Sequence, residues 1–233
     1  MSLGFRRSAL VRVAPFVFFM AVLALRGYAP TDGSWGFDVR WLYALQAGGT
    51  ALLLALWWRE YGELGAQAWP NLREAALAVA VGVAVFMLWI NLDAPWMSLS
   101  SLSSLSLGAT EPFVPRSADG GLNWALIVVR IAGAALLVPV MEELFWRSFL
   151  MRWIQQPVFE AVPPASVGLR AVVLSTFVFV LAHTLWLAAI VAGLAYAWLY
   201  IRTGKLWTAV IAHAVTNGVL GVWVVTTGNW QFW

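Results

Sequence analysis

Long apolar stretches alternate with short polar segments along most of the chain. About seven of these stretches approach the roughly 20 residues that a helix needs to cross a bilayer. They run approximately over residues 10–25, 41–58, 75–92, 122–153, 171–185, 186–201 and 206–226. The pattern therefore predicts an all-α fold, a polytopic membrane bundle of about seven to eight transmembrane helices.

Composition agrees with a membrane protein and excludes several kinds of site. Of the 233 residues, 62% are hydrophobic and only 11% are charged, whereas about a quarter of the residues in a soluble domain are charged. The net charge of +3 comes from basic residues scattered singly, so nucleic acid is not an expected partner. The chain has no cysteine, which excludes disulfides, thiolate catalysis and cysteine-ligated metal.

The basic residues predict how the chain is oriented in the membrane. An N-terminus in the cytoplasm puts most of them inside, as positive charge prefers. Those inside are Arg6, Arg7, Arg12, Arg59, Arg73, Arg152, Arg170, Arg202 and Lys205, and those outside are mainly Arg26, Arg40 and Arg116. Because Arg26 follows the first stretch at once and no small-x-small cleavage site is evident, we expect an uncleaved anchor.

The segments between the spans indicate a single unit. No Pro/Gly/Ser-rich linker joins two separately foldable blocks, so residues 1–233 are expected to form one transmembrane domain. Residues 97–115 are a Ser/Leu repeat that ends in prolines. We interpret this repeat as an interfacial or loop segment outside the membrane, with a binding lid as the alternative.

Ionisable residues interrupt the fourth apolar stretch, where the chain reads LLVPVMEELFWRSFL. Glu143 and Arg147 are four residues apart and should form an ion pair on one helical face. Glu142 points about 100° away from that face and lacks a local cation, which is costly in an apolar setting and suggests a general base or acid. Pro139, one turn earlier, can kink the helix. The alternative is a solvated helix end with no chemistry.

The chain has two histidines, and both fall in or near late apolar stretches. His213 and Asn217 are four residues apart, so an imidazole and a carboxamide share one helical face and can present two donors to a developing oxyanion. The alternatives are that His183 and His213 are hydrogen-bonded core residues and that Asn217 joins two helices.

Depth in the membrane shows whether these groups could meet. Glu142 lies roughly 15 Å from the predicted cytoplasmic boundary and His213 roughly 12 Å. His183 comes out deeper, at roughly 20 Å, so its helix must tilt or begin later. A site at this depth, opening toward the cytoplasm, requires a water-filled cavity within the bundle.

Three ordered motifs resemble those of the CPBP family, the CAAX prenyl endopeptidases and related bacterial membrane proteases. EELFWR at 142–147 resembles EExxxR, FVLAH at 179–183 resembles FxxxH, and HAVTN at 213–217 resembles HxxxN. The resemblance covers about residues 122–221, which would be the catalytic core, with residues 1–121 supplying the N-terminal spans. The length and the wording GLAYAWLYIRTGKLW resemble the bacterial branch associated with exosortase and PEP-CTERM sorting, which implies a bacterial inner membrane.

The resemblance implies an intramembrane endopeptidase that cuts near the C-terminus of a membrane-associated protein or peptide, lipidated or not. Carried onto the matching positions, Glu142 would activate the attacking water with help from His183. His213 and Asn217 would stabilise the tetrahedral oxyanion. The other motif residues, which would hold the helix in register, are Glu143 and Arg147.

Other functions stay open. No cofactor is expected, but one carboxylate and two imidazoles could also be three ligands of a zinc ion with water as the fourth. Relatives of the family include scaffold and bacteriocin self-immunity proteins in which proteolysis is unproven. A transporter is less favoured, because the sequence has no inverted repeat.

Overall fold

The computed structural model describes residues 6–30, 34–99, 113–117 and 119–233, and its long elements are seven helices. The helices are α1 (Arg7–Gly27), α2 (Leu42–Leu56), α3 (Leu72–Trp89), α4 (Trp124–Gln155), α5 (Leu169–Leu181), α6 (Trp186–Thr203) and α7 (Leu206–Thr227). All but α5 are long and apolar enough to cross a membrane, α2 together with the 3₁₀ turn that precedes it. The predicted all-helical polytopic bundle is confirmed. Most of the Ser/Leu repeat, residues 100–112, lies outside the described residues.

The starts of α3 and α7 are fastened together at one end of the bundle. Asn71 and Glu74 form a capping box at the start of α3, with bonds of 3.0 Å and 2.8 Å between their side chains and backbone N–H groups. Lys205 Nζ lies 2.7 Å from Glu74 Oε2. Gly204 has a φ of +70°, a left-handed conformation that lets α6 end and α7 begin two residues later. The ends of three helices therefore meet at this point.

The fifth helix is shorter than the apolar stretch predicted it to be. The sequence predicts a span over 171–185, but α5 ends at Leu181 and His183 lies in the turn that follows. The backbone N–H of Leu99 donates to the Thr184 carbonyl at 2.8 Å, so a residue from another segment satisfies a carbonyl of this turn. A helix of 13 residues is about 20 Å long, which explains how His183 can lie within the bundle instead of at its surface.

The long helix α4 contains two wide, π-type segments, Gly133–Leu137 and Leu144–Met151. A short α-helical piece, Val138–Glu143, separates them and carries both glutamates. Pro139 is the second residue of this piece. Such segments are rare and are frequent at functional sites. The chain thus accommodates the proline partly through wider turns.

Helix α7 packs against α3, α4 and α6 through small residues. Ala209 and Ala212 are fully buried, and a Cβ added at Gly82 of α3 would overlap the Ala212 carbonyl. Thr216 Oγ1 donates to the Gly82 carbonyl at 2.8 Å. Small residues and interhelical hydrogen bonds are the usual means of close helix packing in membranes, and they fix α7 at the position from which it presents His213.

Helix α1 packs beside α4 through an aromatic contact and a buried ion pair. The rings of Phe16 and Phe145 stack with centroids 4.0 Å apart. Near the start of α1, Arg12 Nη2 lies 2.7 Å from Oε2 of Glu63, which belongs to the connection between α2 and α3. Glu63 also accepts a hydrogen bond from the Ser148 hydroxyl of α4. Three separate parts of the chain are joined there.

Candidate active site

A cavity of about 240 Å³ lies between α3, α4, α5, α6 and α7. Its lining includes all four residues that the sequence proposes as catalytic. They come from three separate segments, namely α4, the turn after α5, and α7. These residues are Glu142, His183, His213 and Asn217. Their presence around one space is the central geometric observation about this site.

Glu142 is held by an indole. Its Oε2 accepts a hydrogen bond from Trp146 Nε1 at 3.2 Å, one turn further along α4. Trp146 is itself buried and meets Phe16 and Phe179 edge to face, so its N–H has a defined direction. Among the described residues, Glu142 takes part in no ion pair. The carboxylate is therefore oriented without being neutralised.

His183 is oriented through its Nδ1 atom. This nitrogen lies 2.8 Å from the Phe179 carbonyl oxygen, and a carbonyl can only accept, so Nδ1 carries the proton. The Phe179 ring lies against the imidazole at a centroid distance of 4.2 Å, and Trp89 meets it edge to face at 5.9 Å. In the neutral imidazole, Nε2 is then the unprotonated nitrogen, which can accept a proton or a hydrogen bond.

His213 is also held through Nδ1, by the second glutamate of the pair. Its Nδ1 lies 2.9 Å from Glu143 Oε1. Glu143 is completely buried and also pairs with Arg147, whose Nη1 and Nε lie 3.2 Å and 3.1 Å from its two oxygens. The predicted i,i+4 ion pair is thus present, and it includes His213. The ring of Tyr196 stacks on the imidazole at a centroid distance of 5.0 Å. The other ring nitrogen, Nε2, has no protein partner among the described residues.

Asn217 is fixed by the backbone of α4. Its Nδ2 donates to the Ala134 carbonyl at 2.8 Å. In the π-type register of this segment, Val138 N–H bonds to the Gly133 carbonyl five residues earlier, so the next carbonyl would be served by residue 139. Pro139 has no N–H, which leaves the Ala134 carbonyl free for Asn217. One N–H of the carboxamide is used in this bond, and the second remains for a ligand.

Several residues that line or support the site are not at the fixed positions of the three motifs. Trp146 could have been found from its i,i+4 spacing to Glu142. Tyr196 and Thr216 join through a hydrogen bond of 2.8 Å, and Arg130 lines the cavity. Neither spacing nor periodicity marks Tyr196 or Arg130 in a chain rich in both aromatic and apolar residues.

The cavity extends toward the end of the bundle where α3 ends and α4 begins. Trp89, Arg130, Phe232 and Trp233 line it on that side. Because α1, α2 and α3 alternate in direction, this end is opposite to the start of α1. An N-terminus in the cytoplasm would therefore direct the cavity away from the cytoplasm. The two expectations of the sequence analysis, that orientation and a cytoplasmic opening, do not fit together.

A metal ion would need several ligating side chains close together. Within the part of the chain that the structure describes, no group of three or more His, Asp or Glu side chains lies close enough to hold a metal ion. His213 and His183 each use Nδ1 for a bond to the protein. A zinc-dependent form would require the carboxylate and the two Nε2 atoms to move closer together.

Comparison with known families agrees with the site. Residues 123–219 match the family described as type II CAAX prenyl endopeptidase Rce1-like. These residues belong to that family. The Rce1-like domain starts at the first turn of α4 and ends within α7, so it contains the whole set of motif residues. Rce1-like proteins are a protease family. Searches of curated proteins and of solved structures found no match to the chain.

Proposed function

We propose that the chain is an intramembrane endopeptidase in which Glu142 activates a water molecule for attack on a peptide bond. The observation that supports this most is the convergence of Glu142, His183, His213 and Asn217 on one cavity. Each of these side chains has one atom bonded to the protein and another available toward the cavity. Such pre-orientation is what acid–base and oxyanion groups need. The family match supports the same reaction class.

The first step assigns the proton and the nucleophile. A water molecule near Glu142 gives its proton to the carboxylate, and its oxygen attacks the peptide carbonyl carbon. His183 helps by accepting a hydrogen bond from this water at Nε2, since its Nδ1 proton is held by the Phe179 carbonyl. The tetrahedral intermediate then carries its negative charge on the former carbonyl oxygen. When it collapses, the proton passes from Glu142 to the leaving amine.

The second step assigns the groups that meet the oxyanion. Asn217 offers its remaining Nδ2–H, and His213 offers Nε2–H. Because Nδ1 of His213 already faces Glu143 at 2.9 Å, the ring donates from Nε2 only as an imidazolium. Glu143 orients the ring through Nδ1, and Arg147 pairs with the same carboxylate. Removing one oxyanion donor typically lowers kcat by about 10² to 10³.

The substrate is a membrane-associated protein or peptide, because the cavity lies among helices that span the membrane. We propose that the cut lies near the C-terminus of this substrate. The test includes substrates with and without an attached lipid group. The reaction needs no cofactor in this mechanism. The zinc-dependent hydrolase, the scaffold and the immunity protein are outcomes of the experiment that follows.

The test compares the C-termini of membrane proteins by mass spectrometry in cells with wild-type protein, with Glu142→Gln, or without the protein. New C-termini should appear only with the wild type, and cleavage of a peptide containing that cut site should fall by about 10² to 10⁴ in Glu142→Gln. Glu60→Gln, which changes an exposed carboxylate paired with Arg7, is the matched control and should cleave normally.

Other results would contradict this proposal in distinct ways. Unchanged cleavage by Glu142→Gln would remove the proposed base. Loss of activity on chelation, restored only by added zinc, would favour the metal-dependent hydrolase. Identical C-termini in all three cell types, with the protein present in the membrane, would favour a scaffold or immunity function.

A further inference from the structure

Arg130 is a cation in the catalytic cavity that the mechanism does not use. It lies in the second turn of α4 and lines the same space as Glu142. Its Nε atom is buried and has no hydrogen-bond partner among the described residues. Buried donors without partners are uncommon in folded proteins, and a charged residue within a membrane span usually marks a functional site.

The surroundings of Arg130 hold its position and leave its charge unbalanced. Its guanidinium lies 4.5 Å from the ring centre of Tyr43 and 5.3 Å from that of Phe113. Arg26 lies over the same Tyr43 ring at 5.3 Å and bonds to the neutral side chain of Gln46. Among the described residues, neither arginine forms an ion pair with a carboxylate. Within the part of the chain that the structure describes, no carboxylate therefore balances the charge of Arg130 at this end of the cavity.

The wide segment of α4 explains why Arg130 and Glu142 share the cavity. Twelve residues separate them, which in a regular α-helix would turn their side chains about 120° apart. The π-type segment Gly133–Leu137 lies between them and takes up one more residue per turn. Eleven effective positions make three turns, so both side chains return to the same face.

We propose that Arg130 binds a carboxylate of the substrate peptide, in a subsite separated from the scissile bond. This inference rests on the proposed function, because that function places a peptide in this cavity. The guanidinium is a planar fork whose donors fit a carboxylate in two parallel hydrogen bonds. Because the guanidinium lies over both rings, a carboxylate would approach it at its edge.

The length of α4 sets where the carboxylate must lie in the substrate. Glu142 and Arg130 are about 18 Å apart along the helix, and their side chains shorten the gap between the reacting carbon and the guanidinium. An extended chain covers about 3.3 to 3.6 Å per residue. The carboxylate therefore lies about three to five residues from the cut, either as a C-terminal carboxylate or as the side chain of an Asp or Glu.

The experiment uses the purified full chain and synthetic peptides that span the cut site found by mass spectrometry. Each peptide is made with a C-terminal acid or amide, and with its acidic side chains intact or converted to amides. The wild type should cleave one carboxylate form with a kcat/KM about tenfold or more above its amide, and the change should be mainly in KM. Which amide loses activity distinguishes the two sources of the carboxylate.

The variants test whether Arg130 is the group that recognises the carboxylate. Arg130→Gln should bring the acid-to-amide ratio close to one, and Arg130→Lys should retain part of it, since the charge stays and the fork is lost. Arg26→Gln is the matched control, because Arg26 lies over the same ring but does not line the cavity. It should keep the wild-type ratio. The ratio is internal to each variant, so a general loss of stability does not change it.

A peptide-binding measurement distinguishes this inference from the proposed function. Glu142→Gln should bind the acid peptide about tenfold more tightly than the amide in fluorescence anisotropy, and adding Arg130→Gln should remove the difference. An equal ratio in the wild type and Arg130→Gln would overturn the inference while the hydrolase stands. Acid-selective binding through Arg130 without any cleavage by the wild type would overturn the hydrolase and retain the carboxylate subsite.

Discussion

In both histidines of the candidate site, Nδ1 is bonded to another group of the protein, and Nε2 is the nitrogen available to the cavity. The partners differ, since His183 faces a carbonyl oxygen and His213 faces the Glu143 carboxylate. A carbonyl oxygen can only accept and therefore fixes the Nδ1–H tautomer of a neutral ring, whereas a carboxylate is a charged acceptor. In the proposed mechanism, His183 accepts a hydrogen bond at Nε2 and His213 donates one from Nε2. This difference comes from the partner atom and not from the spacing of the motif.

The buried triad of Glu143, Arg147 and His213 predicts a large effect of a single substitution. Glu143→Gln leaves the Arg147 charge buried without its anion, which should lower the free energy of unfolding by about 3 to 5 kcal/mol. Adding Arg147→Met should recover much of this loss, because an apolar side chain needs no partner there. Cleavage should stay low in the double variant, since His213 no longer faces an anion. Denaturant unfolding in detergent, together with peptide cleavage, measures both.

The control for this experiment is the exposed pair between Arg7 and Glu60. Glu60→Gln should leave unfolding unchanged, because exposed ion pairs contribute little. If Glu143→Gln unfolds like the wild type, the triad does not stabilise the fold. If the double variant regains full cleavage, His213 does not depend on the carboxylate.

At the scale of elements, local spacing was predictable and longer-range geometry was not. The pair between Glu143 and Arg147 follows from i,i+4 spacing and is present. The sequence also shows that Pro139 must disturb α4, but not that wide segments would flank it. The first of them, Gly133–Leu137, rotates Glu142 relative to Arg130 and leaves free the Ala134 carbonyl that Asn217 uses. Their positions depend on the packing of neighbouring helices, which hydropathy does not encode.

The connection between α2 and α3 predicts a pH effect on stability. Glu63 is mostly buried, which alone would raise its pKa, but hydrogen bonds and the charge of Arg12 outweigh this and hold the pKa below its ordinary value of about 4.5. A carboxyl with a lowered folded pKa adds stability above its unfolded pKa and loses it as the pH falls through the folded pKa. The free energy of unfolding should therefore fall as the pH drops below about 4.5 and through the lower folded pKa of Glu63.

The variant Glu63→Gln isolates this contribution from other carboxylates with lowered pKa values, such as Asp38 and Glu160. At pH 7 it should be less stable than the wild type, because Arg12 stays buried without its anion. The difference between the two proteins should shrink as the pH falls. Unfolding by denaturant at a series of pH values gives this difference directly, and a gap that is independent of pH would contradict the assignment to Glu63.

At the scale of the molecule, the family match covers α4 to α7, whereas α1 to α3 lie before it. The earlier helices nevertheless contact the site. Phe16 of α1 meets the ring of Trp146, which orients Glu142, and Gly82 of α3 accepts the hydrogen bond of Thr216. These contacts join the earlier helices to the site, and one transmembrane domain over residues 1–233 stays a prediction. They also mean that the orientation of α1 to α3 in the membrane determines the side from which a substrate enters.

The absence of cysteine from the sequence makes that orientation directly measurable. Gln67 and Asp93 are exposed and flank α3 at opposite ends. With the predicted cytoplasmic N-terminus, Asp93→Cys should react with a membrane-impermeant maleimide in intact cells, and Gln67→Cys only after permeabilisation. Phe177→Cys, on the outer surface of α5, should react poorly in both conditions. This result would direct the cavity and Arg130 away from the cytoplasm, so a substrate would enter from the other side. The reverse labelling would contradict the predicted orientation and open the same cavity toward the cytoplasm.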